Sequence, residues 1–402
     1  MFEGQPKQFQ SGTREEITPT MLYAEQHKQE AEQYNKKWRV WLKLSEEKSP
    51  EDIAYEKALL ENEGFDIRQS AEYKEWGKVN EHVFAELREK RDRPAAETEH
   101  IRPLIYFGGG AMLGAIGAAQ AELLHQAGLG DSFTTIIGNS AGSGTAAYFA
   151  AGGEHTKIAA SLFANECTTK EFLGWKNNEP FKFLDATVIA KSMRQGPKAL
   201  NENAVRESKA NVYVLATNRE TGGSDFLDMK QTEPDGSDMV TKLEASSAIT
   251  IFRDPVVING TPYSDGAYAH TSIEEMIKKF NPTSILIIPN ESFRPRADIV
   301  NEGLPSMVGG LLQSVGATIR QKVFGSSAFT SEVERYLQMH ERGREFIEEL
   351  YQSTGVKLGV MWAPTTTLGA LSNNQTDVRV AIADAFADAA KQLGVDAPSL
   401  SV

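Results

Sequence analysis

The sequence predicts an α/β protein with a mainly parallel sheet, on three observations. Short apolar runs alternate with helical patterns, the runs end in glycine-rich turns, and those turns hold the residues best suited to chemistry. Strands that alternate with helices build a parallel sheet, and reactive groups then belong at the carboxyl ends of the strands.

The elements follow in order. After Arg102-Pro103, LIYFGGG is an apolar run stopped by glycines, and AMLGAIGAAQAELLHQAGLG is an Ala/Leu-rich helix pattern closing on Gly128. FTTIIGNSAGSGTAAYFAAGG repeats that grammar. Its strand is expected over Phe133 to Ile137, its turn over Gly138 to Gly142, and its small-residue helix stops at Gly152-Gly153. NVYVLATN (211–218) and TSILIIPN (283–290) read as further strands. Beyond about residue 300, LPSMVGGLLQSVGATIRQKVF and the run from Thr376 to Leu393 read as helices. The last has Thr376 as its expected N-cap, an apolar stripe through Val378, Ile382, Phe386, Ala389 and Leu393, and Gly394 as its stop.

The chain has 402 residues, enough for one large core with helical extensions. Charge is concentrated at the start, with 22 acidic and 16 basic residues in the first 100, among good helix formers and spaced aromatics such as Tyr34, Trp38, Tyr73, Trp76 and Phe84. The organisation expected is a charged helical N-terminal extension over 1–100, a catalytic domain over 101–290, and a mainly helical region over 291–402 packing on the core.

Composition excludes several classes. With 40% hydrophobic and 24% charged residues the chain is neither disordered nor fibrous. Lys and Arg total 42 against 55 for Asp and Glu, so a net charge of −13 repels nucleic acid and opposes a permanent hold on anionic membranes. Cys167 is the single cysteine, which leaves no intrachain disulfide or thiolate metal cluster and reads as a small buried hydrophobe. The opening residues lack a basic segment followed by an apolar one, and no run approaches 18 apolar residues. These features predict a cytoplasmic protein, and they are equally compatible with an effector exported by a specialised system.

The sharpest motif is Gly138-Asn139-Ser140-Ala141-Gly142, a G-x-S-x-G between an apolar strand and a small-residue helix. A serine on such a turn is held in a strained conformation that projects its hydroxyl, and the helix behind it favours developing negative charge. Ser140 is therefore the candidate nucleophile. The loop Gly108-Gly109-Gly110-Ala111-Met112-Leu113-Gly114 also sits on a strand-to-helix turn, where closely approaching amides suit an anion. Its spacing is G-x-G-x-x-x-G, not the G-x-G-x-x-G of dinucleotide sites, and no Gly-Lys-Ser/Thr follows, so an oxyanion hole is the preferred reading.

A serine nucleophile needs a base. His340 lies in the charged stretch MHERGREF, and His270 follows only five residues after the best acidic candidate, Asp265 in NGTPYSDGAYAH. The Asp-Gly pair Asp265-Gly266 fits a carboxylate on a tight loop and fits a plain turn equally well.

Taken together, GGGAMLGAIGAAQAELLHQAGL, FTTIIGNSAGS and EASSAITIFRDPVVINGTPYSDGAYAH resemble the three ordered blocks of the patatin-like phospholipases, over roughly residues 101 to 290. The resemblance implies a three-layer α/β/α core and a serine-aspartate dyad needing no metal or cofactor. In it Ser140 is the nucleophile, Asp265 its general base, and the Gly108, Gly109, Gly110 and Ala111 amides the oxyanion hole. Gly114, Gly138, Gly142 and Gly266 are the motif glycines. The chain departs from the family at Leu113, where an Arg or Lys is frequent, and at Ala111, where the family has a third glycine.

The resemblance also implies a lipid or phospholipid substrate and transient contact with a membrane surface. Trp175, Phe181 and Phe183 beside Lys176 and Lys182, and Met307 to Phe324 with Arg320 and Lys322, are the stretches suited to that contact or to packing on the core. Two alternatives stand beside this reading: an esterase or thioesterase using Ser140 with a histidine, and a catalytically impaired binding protein. The charged arm is also compatible with an injected bacterial effector needing a host protein activator.

Overall fold

The computed structural model describes residues 71–173, 184–249, 253–269, 271–290, 343–364 and 372–396, with positions 50, 53, 54, 366 and 368. His270, His340, Trp175, Phe181, Phe183 and the segment from Met307 to Phe324 lie outside the described residues.

Among the described residues eight strands form one sheet: β1 (Pro103–Phe107), β2 (Thr135–Asn139), β3 (Asn211–Asn218), β4 (Ser224–Asp228), β5 (Val256–Ile258), β6 (Thr261–Asp265), β7 (Ser284–Ile288) and β8 (Lys357–Val360). Hydrogen-bonded neighbours run β5-β6-β3-β2-β1-β7-β8, with β4 also paired to β3. The ladders joining β3, β2, β1, β7 and β8 are parallel, whereas β4, β5 and β6 pair antiparallel, so the sheet is mixed. The antiparallel strands arise from hairpins. Asn259 and Gly260, between β5 and β6, both have positive φ (51° and 83°), the Asn-Gly turn whose twist suits a two-residue hairpin.

The helices are α1 (Ala71–Asp92), α2 (Gly114–Gln126), α3 (Ala141–Ala151), α4 (His155–Asn165), α5 (Thr187–Arg194), α6 (Glu202–Glu207), α7 (Met239–Ser246), α8 (Ile273–Phe280), α9 (Gly343–Thr354) and α10 (Gln375–Leu393). Side chains alternate across the sheet as strand geometry demands. Ile105 and Phe107 enter one core with residues of α2, α3, α4, α7 and α10, while Leu104 and Tyr106 enter a second with residues of α8 and α9. Helix, sheet and helix thus make three layers.

Two expected boundaries move. β2 runs to Asn139, two residues beyond the expected end, because Gly138 and Asn139 continue the ladder opposite Val214 and Leu215 of β3. Gly138 is a glycine for packing, not for turning. The last helix is capped by Asn374, whose side chain accepts from the Asp377 amide at 3.1 Å, and it ends at Gly394 in the left-handed region as expected.

The core draws on both flanks of the central segment. α1 buries Trp76, Val83, Phe84 and Leu87 against the sheet, and Trp76 meets Trp362 edge-to-face at 5.7 Å. At the sheet edge the buried Asn80 amide takes the place of a missing strand: its Nδ2 donates to the Val360 carbonyl and its Oδ1 accepts the Val360 N–H, each at 2.7 Å. Further along the same helix, Glu86 accepts from Ser284 Oγ at 3.1 Å, from Thr283 Oγ1, and from Lys357 Nζ at 2.8 Å. An unpaired edge strand invites foreign strands, and this helix closes it. Asn80→Ala leaves a buried backbone donor and acceptor unpaired, and urea unfolding should read a loss of about 1–3 kcal/mol. An unchanged midpoint would show that the clamp contributes nothing.

Candidate active site

β2 delivers Ser140 and α3 carries the chain away from it. Ser140 has φ 51° and ψ −121°, a conformation that costs energy for any side-chain-bearing residue and must be held by its surroundings. Two clamps hold it. The Ser140 N–H donates to Ser246 Oγ at 3.0 Å, and its carbonyl accepts from the Ser143 amide at 2.9 Å and Ser247 Oγ at 3.2 Å. The flanking glycines admit no substitute. A Cβ on Gly138 would stand 2.6 Å from the Gly142 carbonyl, and one on Gly142 would stand 2.4 Å from the carbonyl oxygens of Phe107 and Gly108.

Asp265 arrives by register. On β3, Leu215 pairs with Asn139 of β2 and the next residue, Ala216, pairs with Asp265 of β6. β4 pairs with Tyr213–Thr217 and so occupies the other edge, which leaves β2 and β6 end to end along the same edge of β3. Their carboxyl ends meet, and Ser140 Oγ donates to Asp265 Oδ2 at 2.7 Å. The second carboxylate oxygen accepts the Ala267 amide at 2.9 Å, which fixes the orientation of the group. Both residues are buried. A carboxylate so placed can take the serine proton, and of the described histidines His82, His100, His125 and His155, none is hydrogen-bonded to Ser140.

The glycine loop lies against the same serine. Gly110 has φ 131° and Ala111 φ 51°, and a Cβ on Gly109 would stand 3.2 Å from Ser140 Cβ. Gly108 departs from its expected role, because its N–H donates to the Ile288 carbonyl at 2.8 Å, extending the β1–β7 ladder, and is not available to an oxyanion. The amides of Gly109, Gly110 and Ala111 are not donated to any described residue.

From Ser140 a cavity of about 120 Å³ runs between α3, α4, α5 and α7. Its lining is almost wholly apolar and includes Tyr148, Leu162, Phe163, Ile189, Met193 and Leu243. Burial pushes the phenol of Tyr148 well above its ordinary range, and the hydroxyl stays neutral while donating to the Lys198 carbonyl at 2.6 Å. Burial raises the Cys167 thiol in the same way. At one side Glu244 is pinned between Arg194 and Arg253, each at 2.7 Å.

Residues 105–277 match the family described as patatin-like phospholipases. They form a domain of that family. The match runs from within β1 through β6 and includes both motif loops and Asp265. Among solved structures, VipD from Legionella pneumophila aligns at 12% identity and a TM-score of 0.37, over 70% of this chain and 67% of that one. The type III effector protein ExoU aligns at 13% identity and a TM-score of 0.25, over 63% of this chain and 62% of that one, less than two thirds of its length. No curated protein matches the sequence.

Within the patatin-like domain, the two departures from the family pattern sit on the turn into α2. Leu113 packs against the core beside the buried Met112 and does not line the cavity, whereas Ala111 does. The sequence reading missed Ser246, Ser247 and Asn290. The serines lie in the EASSAIT segment, where a hydroxyl pair in a small-residue helix was the available signal. Asn290 closes TSILIIPN at the carboxyl end of a parallel strand, the position where functional groups gather. Because the Cys167 thiol is buried and held protonated, iodoacetamide should leave it unmodified in the native protein. Alkylation at the rate of a free thiol would contradict that environment.

Proposed function

We propose that the protein is a serine acyl hydrolase of the phospholipase A type, cleaving fatty-acyl esters through an acyl-enzyme on Ser140. The observation that carries this reading is the 2.7 Å hydrogen bond from Ser140, which lines the apolar cavity, to Asp265. Ser140 Oγ attacks the ester carbonyl carbon as Asp265 Oδ2 takes its proton. The carbonyl oxygen becomes an oxyanion facing the amides of Gly109, Gly110 and Ala111, with the N-terminus of α3 adding its dipole. Collapse expels the alcohol, which recovers the proton from Asp265. Water then attacks the acyl-serine, gives its proton to Asp265, and the departing serine oxygen takes that proton as the fatty acid leaves.

The apolar lining supports an acyl chain as the group bound, since a long alkyl tail gains about 0.8 kcal/mol for each CH₂ removed from water. Among the described residues no helix is long and apolar enough to cross a membrane. With a net charge of −13, substrate is drawn from lipid surfaces by transient contact.

Two experiments test this. Fatty-acid release from mixed phospholipid vesicles should fall by roughly 10³-fold or more in Ser140→Ala and in Asp265→Asn, and undiminished turnover in either overturns the dyad. Ala190→Trp places a ring in the cavity. Hydrolysis of long-chain p-nitrophenyl esters should drop roughly tenfold or more, while the acetate ester is spared. Equal loss across chain lengths would mean that the acyl group binds elsewhere.

A further inference from the structure

Asn290 follows β7 by two residues, in the left-handed region at φ 64°, with its side chain almost fully buried. Its Nδ2 donates to the Gly108 carbonyl at 2.6 Å and to the Gly109 carbonyl at 3.0 Å. The β1–β7 ladder has just ended at the Gly108 N–H to Ile288 bond, and the Asn290 amide continues it where no backbone donor can reach. Its Oδ1 is buried and has no hydrogen-bond partner among the described residues. That is an unfavourable arrangement for a purely structural amide.

In a trans peptide the carbonyl and the N–H of one plane point in opposite directions. Fixing the oxygens of Gly108 and Gly109 therefore fixes the N–H groups of Gly109 and Gly110, directed away from Asn290. Glycines rotate freely, so an untethered loop at this point would sample orientations in which those donors face elsewhere. We propose that Asn290 is a positioning residue that holds the Gly109 and Gly110 amides as preorganised oxyanion donors. The proposal rests on the serine acyl hydrolase reading above. It also accounts for Gly117: a Cβ there would stand 2.1 Å from Asn290 Oδ1, so α2 keeps a glycine to make room for the amide.

The tests use the full chain and p-nitrophenyl octanoate. Asn290→Ala should lower kcat by roughly 10²-fold with KM within about twofold, the mark of a donor acting on the transition state. Asn290→Asp, which sets oxygen against the two carbonyls, should lose at least as much. Gly117→Ala should reproduce the loss by displacing the amide. In the double variant Asn290→Ala/Gly117→Ala the effects should fail to add, because the new methyl meets no Oδ1. Inactivation by a fluorophosphonate, whose phosphoryl oxygen occupies the oxyanion position, should slow in parallel. Thermal melting separates these effects from misfolding, and Gly117→Ala keeps the proposal open to refutation if Asn290→Ala does not fold. A folded Asn290→Ala with kcat within about threefold of wild type, a change in KM alone, or additive losses would overturn the positioning role. If instead Ser140→Ala retains wild-type turnover, the hydrolase reading itself falls.

Discussion

One edge of β3 carries two strands in succession, β2 against Asn211–Leu215 and β6 against Ala216–Asn218, and the Ser140–Asp265 hydrogen bond lies at their junction. The rest of the site depends on that junction. Ser140 can occupy its strained conformation only because Gly138 and Gly142 let α3 and the β1 loop close to near contact, and because Ser246 at the end of α7 and Ser247 just after it bind its backbone. Gly266 serves the same end from the other strand, since a Cβ there would stand 2.3 Å from the Asn139 side chain. The motif glycines thus mark where three backbones converge on one point.

The fold class and the two motif loops were legible in the sequence because they rest on local signals: apolar runs, glycine stops and a serine between strand and helix. The mixed character of the sheet was legible too, in the Asn259-Gly260 dipeptide, but a parallel grammar taken from the first two units hid it. Gly138 misled in the opposite way, as glycine marks a turn in most settings and here fills a gap within a strand. The pairing of Ser140 with Asp265 was reached through family resemblance. The residues alone left Asp265 as base or turn former, because only the register of β3 brings together groups separated by 125 positions. Asn290 carried no motif at all, and its relevance appears only when its hydrogen bonds to the glycine loop are seen.

The glycine loop illustrates how a backbone conformation tolerates a change of residue. Leu113 replaces a frequent cation and Ala111 a glycine, yet Ala111 keeps the left-handed backbone at φ 51° that glycine would adopt freely. A non-glycine residue in that region is held by its neighbours. The bonds from Asn290 to the preceding carbonyls, and the Leu113 N–H to Gly110 carbonyl bond at 3.1 Å, supply restraint on both sides of it.

The end-to-end meeting of β2 and β6 has a consequence for folding. β1, the glycine loop, β2 and α3 are contiguous and can assemble early around local contacts, but Asp265 joins them only after a closure spanning 125 residues. Long-range pairings of this kind form late, since the entropy of closing the loop is lost before the contact repays it. A chain still emerging from the ribosome therefore holds a serine turn without its carboxylate. The contact between Ser140 and Asp265 is gained only as the sheet is completed, and any opening of the short β3–β6 ladder removes it again.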